Sequence, residues 1–208
     1  MARKKDPKSK ENIIKVAFIL FLEKGYKEVT IKNIMEATNL SKGAIYHHFT
    51  SKEEIYDATL QAYYFKILNN DIVEMITGNF KKDIETLYHF AAELFSEIEH
   101  LSERGLDFPI RNFFSFQLES ETHEKVRHQI LETVAHYRKD IQNMVRHAMD
   151  TNQIRKDLDV EAVAFQLISM MEGLALNHST VKGDIKNVLL IKYKQVFDNY
   201  FKMICIEN

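Results

Sequence analysis

The residues of this chain that are best suited to contact another molecule lie between Ser41 and Lys52. The run Ser41-Lys-Gly-Ala is small apart from one flexible cation, and two larger polar side chains, Tyr46 and His47, follow it closely. A lysine can donate to guanine O6 or N7 in the major groove, and a glycine lets the backbone approach a base edge or a thymine methyl. This composition and spacing predict a short helix that contacts DNA bases.

The segments on either side of this short helix are suited to hold it in place. Ile45 and Phe49 fall on its other side and are expected to pack against Ile34 of the preceding segment. Ser51 and Glu54 have the spacing of a capping box, which predicts the start of a further helix. Two short helices joined by a tight turn are typical of a helix-turn-helix, whose second helix enters the major groove.

The rest of the chain is predicted to be helical as well. Two prolines and six glycines in 208 residues favour long helices over a sheet with many turns. Apolar periodicity and capping residues predict helices at about 7–25, 30–38, 41–49, 51–78, 80–101, 108–119, 121–150, 159–179 and 184–205. The expected fold is all-α with about nine helices, divided into a helix-turn-helix domain at 1–52 and a helical body at 53–208.

The charge of the chain is distributed unevenly. Residues 1–52 hold 11 Lys and Arg against 5 Asp and Glu, a net charge of +6. Residues 53–208 hold 17 against 25, a net charge of −8. A basic first quarter on an acidic body is expected where only one end meets a polyanion, although a random surface bias remains the alternative.

Cysteine content and hydropathy bear on the compartment. The single cysteine, Cys205, cannot form an intrachain disulfide, so an oxidising compartment is not implied. The apolar stretches are shorter than the ~20 residues of a membrane span. We therefore expect a cytoplasmic protein without a membrane partner.

Three segments resemble the TetR/AcrR family of bacterial transcription regulators. The first is Leu40-Ser-Lys-Gly-Ala-Ile-Tyr-His-His-Phe-Thr-Ser-Lys-Glu-Glu-Ile, and the second is Phe21-Leu-Glu-Lys-Gly-Tyr followed by Thr30-Ile-Lys-Asn-Ile. The third, Asn152-Gln-Ile-Arg-Lys-Asp-Leu-Asp, is similar to the family's connection into its eighth helix. Asn39 departs from the glycine that many members have in the turn, but asparagine tolerates the left-handed conformation better than most residues.

The resemblance implies a role for each matched position in binding double-stranded DNA. Lys42 and Gly43 match positions that contact base edges, Tyr46 matches a tyrosine that contacts the DNA backbone, and His47 matches a position that touches a base or thymine methyl. Phosphate contacts are implied for Thr30, Ser41, His48 and Lys52. The full predicted DNA-binding set is Thr30, Ser41, Lys42, Gly43, Ala44, Tyr46, His47, His48 and Lys52.

The last two helices carry apolar faces that are wider than one partner helix needs. A four-helix interface between two copies would bury them, and the resemblance implies such a homodimer. The predicted interface residues are Leu167, Met171, Leu174, Val188, Val196, Phe197, Tyr200 and Phe201. A dimer would place two recognition helices ~34–36 Å apart on a palindromic operator. The alternative is an intrachain core without dimerisation.

The aromatic-rich region between residues 83 and 150 corresponds to the part of the family that holds an effector pocket. The resemblance implies that a small molecule, mainly apolar or aromatic, binds there, tilts the fourth helix and releases DNA. The predicted pocket residues are Tyr88, Phe95, Phe113, Phe114, Gln117, His123, Met171 and Asn177. The alternative is that most of these rings belong to an ordinary core.

Two other functions compete with a ligand-released repressor. A regulator of the same fold could answer to a protein partner instead of a small ligand. A helical metal-carboxylate enzyme needs paired Glu-x-x-His motifs, and Glu97-Ile-Glu-His has that spacing but no second copy follows. Histidines such as His89 and His147 could hold a regulatory metal. We expect no enzyme activity, no cofactor and no metal site.

Overall fold

The computed structural model describes residues 7–65, 76–100, 109–120, 124–180 and 183–206. These ranges contain nine α-helices: α1 (Pro7–Glu28), α2 (Ile31–Thr38), α3 (Lys42–His48), α4 (Lys52–Thr59), α5 (Phe80–Glu99), α6 (Pro109–Ser120), α7 (Glu124–Asp150), α8 (Val160–Asn177) and α9 (Ile185–Ile204). The predicted all-α fold is confirmed. None of the described helices has the length and hydropathy needed to cross a membrane.

The fourth helix differs from its prediction. The α-helical hydrogen bonding of α4 gives way to a π-helix at Leu60–Phe65, and residues 76–79 are not helical. Gly78 adopts a left-handed φ of 84°, a backbone conformation that ends a helix. The predicted single helix over 51–78 is therefore wrong at its C-terminal end, and its residues 66–75 lie outside the described part.

The first four helices form a bundle with an apolar centre. Ile13 and Phe21 of α1, Ile34 of α2, Ile45 of α3 and Ile55 of α4 are all buried. Each comes from the apolar stripe of its own helix, so the helices meet along those stripes. This packing holds the short α3 in a fixed orientation.

Local capping explains where α2 and α3 begin and end. The Thr30 hydroxyl accepts from the Asn33 N–H at 3.2 Å, and the Asn33 side chain accepts from the Thr30 N–H at 2.8 Å. Asn39 ends α2 in the left-handed conformation with a φ of 55°, as the sequence predicted. Ser41 then caps α3 by accepting from the Ala44 N–H at 3.2 Å.

The C-terminal helices form a second bundle in which α9 packs along α5 and α8. The Tyr88 ring of α5 stacks on Phe197 of α9, with centroids 5.6 Å apart. The buried hydroxyl of Tyr193 donates to the Met171 carbonyl of α8 at 3.0 Å. These contacts place the aromatic face of α9 inside a single chain.

That packing corrects most of the predicted dimer interface. Five of the eight predicted residues are buried in the monomer core, namely Leu167, Met171, Phe197, Tyr200 and Phe201. Little of their surface is left for a second copy to cover. Leu174, Val188 and Val196 are half-buried, so only these three retain surface that a partner could cover.

Helix α6 joins the two bundles through aromatic contacts. Phe116 lies edge-on to Phe18 of α1 and Tyr56 of α4, with centroids 5.7 Å away in both pairs. On the same helix, Phe113 packs against Tyr64 of the π-helix at 5.9 Å. Phe18 also stacks on Tyr63 at 4.4 Å. Movement of α6 would therefore change its packing against α1 and α4 directly.

The connection between α7 and α8 is tied to two distant parts of the chain. The Arg155 N–H donates to the Ile204 carbonyl at 2.9 Å, and the Ile206 N–H donates to the Gln153 carbonyl at 3.1 Å. The Gln153 side chain accepts from the Phe80 N–H at 2.7 Å and donates to the Gly78 carbonyl at 2.8 Å. One residue thus links the start of α5 to the end of α9.

The buried carboxylate of Asp83 stabilises the start of α5. One of its oxygens accepts from the Thr77 N–H and from the Thr77 hydroxyl, both at 2.7 Å. The other accepts from the Gly78 N–H at 3.0 Å. Asp83 therefore satisfies three donors that precede the helix.

Asp83→Ala is expected to lower the free energy of unfolding by roughly 2–4 kcal/mol, because three donors lose a charged acceptor and two of them are backbone groups. Urea unfolding followed by circular dichroism measures the change. Glu97→Ala, an exposed change on the same helix, serves as control and should stay within about 0.5 kcal/mol. Equal effects in the two variants would contradict the role of Asp83.

Candidate DNA interface and effector cavity

Helix α3 presents its polar side chains outward and its apolar ones inward. Lys42, Gly43, Tyr46 and His47 are exposed, and Ala44 is half-buried. Ile45 and Phe49 are buried behind them. The predicted bracing of this helix by Ile45 and Phe49 is confirmed, and the outward face can enter a groove without unpacking the core.

The outward face of α3 has room for a close approach. A Cβ built on Gly43 would meet nothing within 4 Å, so the space beside it is open. The Lys42 ammonium lies over the Tyr46 ring, 5.7 Å from its centroid. This contact holds a cation and a phenol on one ridge, an arrangement suited to one base edge and one adjacent phosphate.

The hydroxyl groups of Thr30 and Ser41 differ in whether their proton is available to a phosphate. The Thr30 hydroxyl donates to the Asn33 side chain at 2.6 Å, which occupies its proton. The Ser41 oxygen accepts from the Ala44 N–H at 3.2 Å, and no bond from its hydroxyl to another described residue is seen, so its proton is available to an acceptor. Ser41 is the better phosphate donor of the two, while Thr30 mainly starts α2.

Lys52 makes intramolecular contacts. Its ammonium donates to the Tyr26 carbonyl at 2.8 Å and to the Val29 carbonyl at 2.9 Å. It also lies 4.1 Å from the centre of the Tyr26 ring. We therefore revise the predicted phosphate contact, because these bonds give Lys52 the role of joining α4 to the end of α1.

His48 also departs from its predicted phosphate contact. Its side chain is buried, with 9% exposed, and its ring lies edge-on to that of His47 at 5.2 Å. Reaching a phosphate would require it to leave this position. His47 and His48 are adjacent in sequence but differ in exposure, and the phosphate contact of His48 stays a prediction.

A hydrogen bond beside Lys52 strengthens the same joint. The Tyr26 hydroxyl donates to the Glu53 carboxylate at 2.9 Å. Backbone hydrogen bonding and this phenol hold the pKa of Glu53 below its usual range. Burial, together with the Glu53 carboxylate, raises the pKa of Tyr26. The phenol is therefore neutral near pH 7 and remains a donor.

A cavity of about 420 Å³ lies in the C-terminal bundle. Aromatic and aliphatic side chains from α5, α6, α7 and α8, with Tyr64 of the π-helix, form most of its wall. The main apolar contributors are Tyr64, Leu87, Phe90, Phe95, Phe113, Phe114, Ile130, Val134, Phe165 and Ile168. Its size and apolar character fit a small organic ligand.

The structure divides the predicted pocket residues into two groups. Phe95, Phe113, Phe114, Gln117 and Met171 line the cavity. Tyr88 does not, because it packs against Phe197. Asn177 is exposed at the end of α8, where its amide donates to the Gly173 carbonyl at 2.7 Å. His123 lies outside the described residues.

Two charged residues in the cavity wall were missed by the sequence prediction. Arg138 of α7 and Glu172 of α8 both line the cavity. Burial raises the pKa of the Glu172 carboxyl, and the nearby Arg138 charge opposes that shift. Burial, with a contribution from Glu172, also raises the pKa of Tyr137. The cavity therefore has a mainly apolar wall that includes two charged side chains.

A sequence signal for both charges did exist. Ile130 and Val134 are followed by Arg138 at four-residue spacing, and Phe165 and Ile168 are followed by Glu172 at three and four. A charge that continues an apolar stripe lies on the side of the helix that packs against its neighbours. Such a residue is a candidate for a functional site, since buried charges need partners.

No group of three or more His, Cys, Asp or Glu residues that could hold a metal occurs in the described part of the chain. Glu97 is exposed, and the His100 ring shares a hydrogen bond with the Ser96 carbonyl at 2.7 Å. The Glu-x-x-His spacing is thus present on α5 without further ligands around it.

Two family models match the chain. Residues 13–59 match the model of bacterial regulatory proteins of the tetR family. Residues 114–186 match the tetracyclin repressor-like C-terminal domain. The first covers α2, α3, α4 and most of α1, and the second includes most of the α6 and α7 cavity wall and all of α8.

Curated relatives are transcriptional regulators. The chain is 38% identical over 90 residues to the biofilm operon icaADBC HTH-type negative transcriptional regulator IcaR of Staphylococcus aureus, covering 43% of this chain and 47% of IcaR. The match thus spans about half the length of that relative. It is 27% identical over 167 residues to the HTH-type transcriptional repressor DhaR of Mycobacterium sp. (strain GP1), covering 80% of each chain.

Solved structures share the fold. The ketosteroid transcriptional regulator KstR2 of Mycobacterium tuberculosis superposes with a TM-score of 0.71 at 20% identity, covering 95% of each chain. The matched family models, with the helix-turn-helix geometry of α2 and α3, lead to one conclusion. This chain belongs to the TetR family of bacterial regulatory proteins.

Proposed function

We propose that this protein is a DNA-binding transcriptional repressor that acts as a cytoplasmic homodimer and leaves its operator when a small molecule fills the C-terminal cavity. The observation that carries the proposal is α3, which exposes Lys42, Gly43 and Tyr46 on a helix braced by buried Ile45 and Phe49. The regulatory character of the family and of its curated relatives supports it.

In this proposal, base contacts come from Lys42, Gly43, Ala44 and His47. Tyr46 and Ser41 contact phosphates, and Thr30 positions the start of α2 beside the DNA backbone. The positive charge of residues 1–52 supplies attraction that does not depend on base sequence. Residues 1–52 are thus the DNA-binding domain, and residues 53–208 bind effector and the second copy.

The ligand is proposed to cause release of DNA by changing the position of α6. Phe113, Phe114 and Gln117 of α6 line the cavity, while Phe116 of the same helix touches α1 and α4. A ligand that favours one position of α6 would favour one position of α4 and hence one spacing of the two recognition helices. The drop in DNA affinity equals the difference in ligand affinity between the two arrangements.

The second copy is proposed to cover the side of α8 that carries Gly173. A Cβ built on Gly173 meets nothing within 4 Å, so packing inside one chain does not account for this glycine. Ala162, Gln166 and Met170 fall on the same side at three- or four-residue spacing. Glycine in mid-helix destabilises the helix by about 1 kcal/mol relative to alanine. Close packing of a partner helix against the glycine can offset this loss.

The adjoining surface of α9 extends this dimer face. The Tyr200 hydroxyl donates to Gln166 at 2.5 Å, which places α9 beside α8 along this side. Met203 is 55% exposed, and Val188 and Val196 are half-buried. Two α8–α9 pairs related by a two-fold axis would bury these side chains together.

A small ligand is favoured over a protein partner as the signal. The cavity of about 420 Å³ is lined mainly by apolar side chains, the environment that small organic ligands select. A regulatory protein partner would instead need to bind an exposed surface that contacts α6. The family is regulatory, so a metal-carboxylate enzyme is not proposed.

Lys42→Ala is expected to weaken binding to a palindromic operator by roughly 5- to 150-fold, because a lost base contact is worth about 1–3 kcal/mol. Tyr46→Phe, which removes one neutral donor to a phosphate, should weaken it by about fivefold. The operator is selected from random duplex DNA by the purified protein, and affinity is measured by fluorescence anisotropy.

The matched control for these variants is Lys139→Ala, an exposed lysine on α7, which should leave affinity unchanged. Raising salt from 50 to 200 mM should weaken wild-type binding by about a thousandfold if some six phosphates are neutralised. Unchanged affinity in both α3 variants, or a flat salt response, would reject the DNA interface.

A further inference from the structure

We infer that the effector carries one negatively charged oxygen group, such as a carboxylate, which binds Arg138 while its apolar part fills the cavity. The inference rests on the proposed role of this cavity as the effector site. It adds the chemical class of the ligand, which apolar character alone does not define.

The guanidinium of Arg138 has an unmet hydrogen bond inside the cavity wall. Its Nε is buried and has no hydrogen-bond partner within the described part of the chain. Arginine keeps its charge at any pH of interest and presents its N–H groups as a planar fork. A buried N–H without an acceptor destabilises the protein, so an acceptor supplied by a ligand would be bound strongly.

Glu172 is the obvious candidate for an internal partner, but it does not pair directly with Arg138. No ion pair joins the two side chains within the 4.0 Å limit, as far as the structure describes the chain. The two charges do interact at longer range. The Arg138 Nε thus has no acceptor from Glu172, and a ligand in the same cavity can supply one.

Glu172 lines the same cavity but does not need a ligand to satisfy its carboxylate. It is exposed by surface area, so water can hydrate it in the absence of ligand, although its packed surroundings raise the pKa of the carboxyl. The Arg138 Nε has no partner among the described residues, and Arg138 lines the cavity, so a group that enters the cavity can offer the guanidinium an acceptor. A planar carboxylate matches the guanidinium fork in geometry and in charge.

The remaining wall defines the rest of the ligand. Phe95, Phe114, Val134, Phe165 and Ile168 line the same cavity as Arg138. A cavity of this size accommodates an acyl chain or an aromatic ring system of moderate length. The expected ligand class is therefore an amphipathic monocarboxylate, with the charged end at Arg138.

Three probes with the same apolar chain and different heads test this inference: decanoate, decanol and decylammonium. Titration calorimetry on the full chain should give at least tenfold tighter binding of decanoate than of decanol, because a charge-assisted hydrogen bond is added. Arg138→Met should remove that preference and leave decanol affinity within about twofold. Arg146→Met, an exposed change on the same helix, should retain it.

Each other outcome overturns the inference. Equal binding of decanoate and decanol by the wild-type protein, tighter binding of decylammonium, or no binding of any probe would reject an anion-selective cavity. A preference that survives in Arg138→Met would assign it to another residue. If Arg138→Met does not fold by circular dichroism, Arg138→Lys carries the test, since it keeps the charge but lacks the fork and should reduce the preference.

Operator binding, followed in the same samples, separates this inference from the proposed function. If decanol and decanoate bind equally and both release DNA, the effector does not need a negative charge. The proposal of a ligand-released repressor would then still hold. Decanoate that binds through Arg138 without releasing DNA would keep the anion site and reject its role as effector site. Release by decanoate alone, lost in Arg138→Met, is the result expected.

Discussion

Gly173→Leu is expected to separate the dimer and to weaken operator binding at least a hundredfold. The monomer has open space at this position, and leucine favours helix over glycine by nearly 1 kcal/mol, so the chain should fold at least as well as before. A partner helix in close approach would meet the new side chain. Light scattering with size-exclusion chromatography measures the mass, and anisotropy measures DNA affinity.

The matched control for Gly173→Leu is Glu161→Leu, an exposed change on the same helix that falls outside the proposed dimer face. It should leave both mass and operator affinity unchanged. The loss of DNA affinity follows from the loss of the second recognition helix, because each half-site then binds alone. A Gly173→Leu protein that remains a dimer with full affinity would exclude this side of α8.

The second large effect concerns Phe116. Phe116→Ala is expected to lower the free energy of unfolding by about 3–5 kcal/mol, because a buried ring with 2% exposure is replaced by a void. The void lies between α6 and the pair Phe18 and Tyr56. Thermal unfolding should then lose its single transition, since the two bundles no longer stabilise each other.

Leu118→Ala is the control for Phe116→Ala, because Leu118 lies on the same helix and is 68% exposed. It should change the free energy of unfolding by less than about 0.5 kcal/mol. A single unaltered transition in Phe116→Ala would show that α6 does not join the bundles and would remove the proposed route of release.

The helices and the exposed side chains of α3 could be predicted because their causes are local. Thr30, Ser41 and Ser51 each cap a helix through an N–H three residues ahead, a relation that is visible in sequence. Asn39 in the left-handed turn is equally local. The exposure of Lys42 and Tyr46 follows from their spacing relative to buried Ile45.

The predictions that failed depended on which helix meets which. An apolar face on α9 is compatible with a partner in the same chain or in a second copy, and Phe197 and Tyr193 turned out to face α5 and α8.

Two local details also differ from the prediction. Glu54 has capping-box spacing, yet its carboxylate accepts from the Thr50 N–H at 2.6 Å. The π-helix was not predicted from the sequence; within it, Tyr63 stacks on Phe18 and Tyr64 packs against Phe113.

The bonds of Gln153 bear on how the molecule folds. Its side chain binds Phe80 and Gly78, which are separated from it by 73 and 75 positions in sequence. Contacts this distant form only after a long loop closes, whereas α2, α3 and α4 are capped by near neighbours. We therefore expect the N-terminal bundle to form early in refolding and the cavity to close late, with protection from hydrogen exchange appearing last at Gly78 and Phe80.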